Sequence, residues 1–73
     1  MNFSETEKSY ISIIESNLQF FNTGRRKKLT IDYYIDSGNR ARVRWGRVTV
    51  AEHLTIEQAH YFLWGFTSGR ERK

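Results

Sequence analysis

Arginine recurs at every second position of one segment of this 73-residue sequence. Arg40, Arg42 and Arg44 alternate with apolar residues, so in a β-strand their guanidinium groups share one face at intervals of about 7 Å. Guanidinium groups on a two-stranded ribbon suit a phosphate backbone or the base edges of a DNA major groove. Carboxylates on the neighbouring strand would instead give these arginines a structural role. Both interpretations stay open at this point.

A second basic group occupies residues 25–28, which have no acidic neighbour in the sequence. Such a run binds phosphates or an acidic protein, or it forms a solvated loop. Acidic residues outnumber basic ones in residues 1–24, so the rest of the chain carries more than the net charge of +4. We therefore predict a nucleic-acid-binding set in which a tyrosine adds base stacking: Arg25, Arg26, Lys27, Lys28, Tyr34, Arg40, Arg42, Arg44 and Arg47.

Aromatic residues suggest a different kind of surface. Tyr61 and Trp64 lie three residues apart, away from the inward face of a predicted helix, with His60 beside them. They predict a protein interface, a self-association surface or a stacking platform for bases, unless a third strand or the tail covers them. Ile13 and Phe20 belong either to the same interface or to a widened core.

Catalytic patterns are weak in this sequence. His53 and His60 are seven residues apart and lack the i, i+4 spacing that places two imidazoles on one metal ion. Asp32 and Asp36 share a strand face but would lie about 13 Å apart, beyond the roughly 5 to 9.5 Å between paired catalytic carboxylates. The sequence contains no cysteine for a thiolate site. We predict no enzyme, no metal and no cofactor.

Two helices are predicted to position these residues. Ser4 and Glu7 form an S-x-x-E capping box for a first helix from Glu5 to Asn22, which Gly24 can terminate. Its apolar stripe comprises Tyr10, Ile11, Ile14, Leu18 and Phe21.

The second helix has its own capping box, Thr55 with Gln58. We predict that it covers residues 56–68, that Gly69 ends it, and that the basic tail at residues 70–73 frays. Its inward stripe comprises Ile56, Ala59, Phe62, Leu63 and Phe66.

The alternation between the helices predicts a β-hairpin. A three-residue loop at 37–39, with Asn39 in the left-handed conformation, brings opposite charges together across the strands. The predicted pairs are Asp36 with Arg40, Tyr34 with Arg42, and Asp32 with Arg44. The alternation changes phase at Gly46, which predicts either a β-bulge or a break that begins a short third strand.

The predicted fold is a single α+β domain over residues 1–73, with the order α-β-β-(β)-α and both helices on one face of a small antiparallel sheet. This order is similar to that of double-stranded-RNA-binding domains. The lysine-rich start of their second helix is replaced here by Thr55-Ile56-Glu57-Gln58-Ala59. Residues 33–66 are also similar in arrangement to the arm-binding domains of phage integrases. Neither comparison includes a shared motif, so neither assigns a family.

The distribution of charged residues along the chain indicates where the protein is located. The longest uncharged stretch, residues 58–69, is shorter than the roughly 18 residues of a membrane span. Glu5 and Glu7 stand where a signal peptide would carry positive charge. We predict a cytoplasmic protein without membrane contact.

Two functions follow as hypotheses. The first is a small nucleic-acid-binding module that uses the basic hairpin face and the basic loop. The second is an accessory or inhibitor protein that binds a host protein or nucleoprotein through exposed aromatics, since short cysteine-free chains of this kind resemble the anti-defence proteins of phages. A homodimer is compatible with both.

Overall fold

The computed structural model describes residues 2–71, apart from the side chain of Glu71. Its elements are α1 (Glu5–Asn22), β1 (Leu29–Ile35), β2 (Asn39–Trp45), β3 (Val48–Leu54) and α2 (Ile56–Glu71). The strands form one antiparallel sheet in the order β1-β2-β3. Both helices pack on one face of that sheet. The predicted two-layer α+β fold is confirmed. No helix within residues 2–71 is long and apolar enough to cross a membrane.

The core lies between the helices and the odd-numbered residues of β1 and β2. Its buried members are Ile14, Phe21, Leu29, Ala41, Val43, Ile56, Ala59 and Leu63. The other residues of the two predicted helix stripes are partly buried against them. Both inward stripes are therefore confirmed, which fixes the outward faces of the helices as well.

Both predicted capping boxes form. The Ser4 hydroxyl accepts a hydrogen bond from the Glu7 backbone N–H at 3.1 Å, and the Glu7 carboxylate accepts one from the Ser4 N–H at 2.9 Å. Thr55 and Gln58 make the same reciprocal pair at the start of α2. Helix α1 has its predicted bounds, and Gly24 follows it with φ +76°.

The Glu7 carboxylate also makes stability depend on pH. Its Oε1 accepts a hydrogen bond from Asn39 Nδ2 at 2.9 Å, so it joins α1 to the β1–β2 hairpin. The backbone N–H of Ser4, followed by the Asn39 side chain, lowers the pKa of Glu7 below its ordinary value of 4.5. The ionised Glu7 carboxylate therefore stabilises the native state fully at pH values above 4.5, its ordinary pKa. This stabilisation is lost as the pH falls through the lowered pKa of the native state.

We expect the variant Glu7→Gln to lose less stability on acidification than the parent chain. Glutamine keeps the capping acceptor but has no proton to gain. Urea unfolding followed by circular dichroism at neutral pH and near pH 3 measures the difference. Equal losses in the two chains would show that this carboxylate is not responsible.

The C-terminal boundary of α2 differs from the prediction. The helix continues through Gly69 to Glu71, so the predicted stop after residue 68 is wrong, and Arg70 lies in the last turn of the helix. The guanidinium of Arg70 lies 3.6 Å from the centroid of the Phe66 ring, one turn earlier, and this contact stabilises the last turn. Residues 72 and 73 of the predicted tail lie outside the described residues.

The register of the first hairpin is shifted by two residues. Asp32 lies opposite Arg42, Tyr34 opposite Arg40, and Thr30 opposite Arg44. All three predicted pairs are wrong, although every side chain keeps its predicted face because the shift is even.

Turn geometry explains the shift. The loop occupies residues 36–38 rather than 37–39, since Ser37 and Gly38 take positive φ values of 60° and 112°. Asn39, the residue predicted to do so, begins β2.

The second turn is the predicted break rather than a bulge. Trp45 pairs with Val48, which leaves Gly46 and Arg47 as a two-residue connection with Gly46 at φ +68°. Strand β3 itself shifts register twice against β2, and His53 within it has φ +61°. Such irregularities twist an edge strand and make it a poor template for further pairing.

The two helices run in the same direction, because a meander of three strands connects them. The end of α1, the start of β1, the β2–β3 turn and the end of α2 all lie at one end of the domain. Both helix starts and the β1–β2 loop lie at the other. An 18-residue helix separates the two ends by about 27 Å. That distance exceeds the Debye length of about 8 Å at physiological salt, so the ends act as separate electrostatic surfaces.

Candidate nucleic-acid interface

Basic residues from four segments converge where both helices terminate. The segments are the loop after α1, the last residues of β2, the β2–β3 turn and the last turn of α2. We call this surface the basic end, and it comprises Arg25, Arg26, Lys27, Lys28, Arg44, Arg47 and Arg70. Glu71 belongs to the same end by its position in α2. The opposite, acidic end is formed by Glu5, Glu7, Asp36, Glu52 and Glu57, with Lys8 and Arg40 among them.

Aromatic rings form the floor of the basic end. Trp45 packs between Phe21 and Phe66, with ring centroids 5.7 and 5.6 Å away. Three cations lie over these rings: Arg25 at 3.9 Å from Phe21, Lys27 at 5.2 Å from Trp45, and Arg70 at 3.6 Å from Phe66. Cation–π contacts at exposed sites contribute about 0.5–1 kcal/mol each. The rings therefore position the cations while leaving their N–H groups available to an anion.

Hydrogen bonds fix the loop between α1 and β1 at two places. The Asn22 side chain donates to the Leu29 carbonyl and accepts from the Leu29 N–H, each at 2.8 Å. The Gly46 N–H donates to the Lys28 carbonyl at 2.9 Å, which ties the loop to the β2–β3 turn. A Cβ at Gly46 would approach Lys27 Cγ to 3.0 Å, so glycine permits this close contact.

Some of the basic residues also have a structural role. Arg25 Nε donates to the Phe21 carbonyl and Lys28 Nζ to the Asn22 carbonyl, each at 2.8 Å, so both satisfy carbonyls at the end of α1. Two helix C-termini together contribute only about one negative charge. That is far less than the positive charge gathered here, so the basic end keeps a strong positive field.

Arg26, Arg44 and Arg47 are exposed, and in the part of the chain that the structure describes no carboxylate lies within ion-pair distance of them. The prediction that Asp32 neutralises Arg44 is wrong. Because of the shifted register, Asp32 Oδ2 lies 3.7 Å from Arg42 Nη2 instead.

The remaining predicted nucleic-acid ligands lie away from the basic end, on the open face of the sheet. The Tyr34 hydroxyl accepts from the His53 N–H at 2.8 Å, and its ring lies 5.6 Å from the Arg42 guanidinium. His53 Nδ1 lies 3.4 Å from Asp36 Oδ2. Arg40 Nη1 donates to the Asn39 carbonyl at 3.1 Å. Tyr34 and Arg42 are thus engaged within the sheet face, and the carboxylates of Asp32 and Asp36 make this face less positive than the basic end.

The predicted protein-interface residues gather at a second surface. Ile13, Phe20, His60 and Trp64 line an open groove of about 490 Å³ between α1 and α2, completed by Ser16, Asn17, Thr67 and Ser68. Tyr61 stands beside it, its ring centroid 4.8 Å from that of His60. Ile13 and Phe20 are exposed, so they belong to this groove and not to a widened core. His60 is buried, which its sequence position did not indicate.

Comparisons with protein-family models, curated proteins and solved structures find no match for this chain. The start of α2, by which double-stranded-RNA-binding domains hold phosphates through lysines, lies here at the acidic end and contains Glu57. The geometry of the basic end and of the groove between α1 and α2 is therefore the basis for assigning a function.

Proposed function

We propose that this chain is a small cytoplasmic nucleic-acid-binding module that acts by binding, without catalysis, and contacts phosphates through its basic end. The observation that carries the proposal is the convergence of basic side chains from four segments on one end of a polarised domain. A compact cluster of cations matches a sugar–phosphate backbone, whose charges release counterions when they are neutralised.

The open face of the β1–β2 hairpin, which the sequence predicted to bind nucleic acid, contributes less to the proposed binding than the basic end does. Arg42 is paired with Asp32 and stacked on Tyr34, whereas Arg44 at the end of the same strand has no ion-pair partner within residues 2–70. The proposed contacts are therefore made by Arg26, Arg44 and Arg47, with the stacked cations around them.

The arrangement favours recognition of phosphates over recognition of bases. Proteins that bind single strands present uncovered aromatic rings beside a basic groove. At the basic end the faces of the aromatic rings are instead covered by the cationic groups of Arg25, Lys27 and Arg70, so bases cannot stack there. Binding should accordingly be insensitive to base sequence, because phosphate contacts fix position without reading sequence.

A salt series tests this proposal. Fluorescence anisotropy would follow the chain binding to labelled 20-mer duplexes and single strands of mixed sequence, from about 50 to 200 mM salt. The affinity should fall with a log–log slope of about −3 to −5 for a duplex, as expected for several neutralised phosphates. Absence of binding at the lowest salt, or a slope near zero, would contradict the proposal.

The alternative predicted from the sequence, a phage-type inhibitor or adaptor that captures a host protein, would use the groove. The double variant Tyr61→Ala/Trp64→Ala separates the two functions. At chain concentrations too low for self-association, its nucleic-acid affinity should stay within about threefold of the parent, because both residues lie outside the basic end. A large loss of nucleic-acid affinity would show that nucleic acid binds at the groove and not at the basic end.

A further inference from the structure

Exposed apolar side chains are concentrated at the groove between α1 and α2. Phe20 is 76% exposed, Trp64 60%, Tyr61 59% and Ile13 48%. A large aromatic side chain can bury about 150–250 Å², so these four leave on the order of 400–500 Å² of apolar-rich surface uncovered. A stable interface takes about 800 Å² from each partner. The apolar centre therefore supplies roughly half of the area that a standard interface needs, and the polar residues beside it must supply the rest.

The groove is uncharged along its length. Ser16, Asn17, Thr67 and Ser68 supply its polar groups, and the eight lining residues include no aspartate, glutamate, lysine or arginine. Covering this surface thus requires no desolvation of a charged group. At the two ends of the groove the charged residues are mainly acidic where the helices start and mainly basic where they finish.

At the acidic end of the groove, partial burial raises the pKa of the Tyr10 phenol, with the Glu57 carboxylate and Tyr61 adding to the effect. Glu5 lies on the first turn of α1 at the same end. At the other end, residues 25–28 follow α1. Because the two helices are parallel, their dipoles add, which places partial positive charge at the acidic end and partial negative charge at the basic end.

We propose that the occupant of this groove is a second copy of the chain in antiparallel orientation. A twofold axis through the middle of the groove and perpendicular to the helices brings α1 against α1 of the second copy. The acidic start of each helix then lies near the basic loop that follows the other, and the helix dipoles oppose each other. Arg44 and Arg47 belong to β2 and to the β2–β3 turn, outside the groove, so in the dimer they remain open to phosphates. A parallel arrangement would place like ends together and lose this complementarity.

Molecular mass tests the dimer. At about 100 µM, well above the micromolar dissociation constant of a modest interface, sedimentation or light scattering should give twice the 8.7 kDa of one chain. Trp64→Glu should weaken association at least about thirtyfold, the loss typical of a central aromatic anchor. Phe20→Glu should act in the same way, and far-UV circular dichroism would verify that both variants fold.

The matched control is Val48→Glu. Val48 is 62% exposed, much like Trp64, but it begins β3 and lies outside the groove. It should leave the dimer intact. A parent chain that stays at the single-chain mass would overturn the proposal and leave the groove to a different protein. Equal weakening by Val48→Glu and Trp64→Glu would overturn it as well.

Introduced cysteines test the orientation, since the chain has none of its own. Ser16 lies near the middle of the groove, so Ser16→Cys should form a disulfide-linked dimer on addition of an oxidant. Ser9→Cys, two turns earlier on the same helix, would place its two thiols about 21 Å apart and should not cross-link. Equal cross-linking of both variants, or cross-linking of neither, would overturn the antiparallel arrangement.

Discussion

Replacing Arg44 and Arg47 together by alanine is expected to weaken nucleic-acid binding by about ten- to a hundredfold at about 50 mM salt. Both side chains are exposed at the basic end, and within residues 2–70 neither has an ion-pair partner. Each lost phosphate contact should also reduce the log–log salt slope by about 0.9, so the double variant should lose nearly two units of slope. Anisotropy titrations over a salt series measure both quantities.

The control for this prediction is Arg40→Ala/Arg42→Ala. It removes the same charge from β2, the strand that also carries Arg44, but Arg42 is paired with Asp32 and Arg40 bonds to a backbone carbonyl near the acidic end. Affinity should fall by no more than about threefold, and the salt slope should be unchanged. If the control pair weakens binding as much as Arg44 and Arg47 do, overall charge and not the basic end governs binding.

Replacing Phe21 by alanine is expected to destabilise the domain by about 3–5 kcal/mol. Phe21 is 2% exposed, packs against Trp45, and supports the Arg25 guanidinium. Small domains have a total stability of roughly 5 kcal/mol, so this variant should retain no more than about 2 kcal/mol and unfold at a much lower urea concentration. Urea unfolding monitored by circular dichroism measures the change.

The adjacent phenylalanine provides the matched comparison. Phe20 is 76% exposed in the groove, so Phe20→Ala should change the free energy of unfolding of the single chain by no more than about 0.5 kcal/mol. The measurement belongs at low chain concentration, where self-association does not contribute. Similar losses for Phe20 and Phe21 would contradict the described packing of α1.

The sequence predicts the faces of the hairpin but not its register. Alternation of apolar and charged residues decides which side chains point to the core, and a two-residue shift leaves that alternation unchanged. Opposite charges pair in either register, since Asp32 meets Arg44 in one and Arg42 in the other. The conformations of Ser37 and Gly38 decide between them, and the sequence pattern alone does not specify those φ values.

The basic end could be predicted only in part. Residues 25–28 and Arg47 are recognisable as basic segments, and the hairpin brings Arg44 near them. Arg70 joins them because α2 runs parallel to α1 and continues past Gly69. Its stacking on Phe66 overrides the stop that a glycine normally signals.

The groove also depends on helix direction. Ile13 and Phe20 lie outside the inward stripe of α1, yet periodicity alone does not say whether another element covers them. The parallel packing of α1 and α2 places them beside Trp64 and leaves them open. Burial of His60 between Tyr10 and Trp64 follows from the same packing.

The measurement that tests the central claim most directly is chemical-shift mapping of the isotope-labelled chain as a short nucleic-acid duplex is added. The largest backbone amide shifts should fall in residues 24–28, 44–47 and 69–70, at the basic end. Amides of Tyr34, Arg42 and His53 on the open face should move little, as should those of the groove. Shifts centred on the open face or the groove, or no shifts at about 50 mM salt, would contradict the assignment of nucleic-acid binding to the basic end.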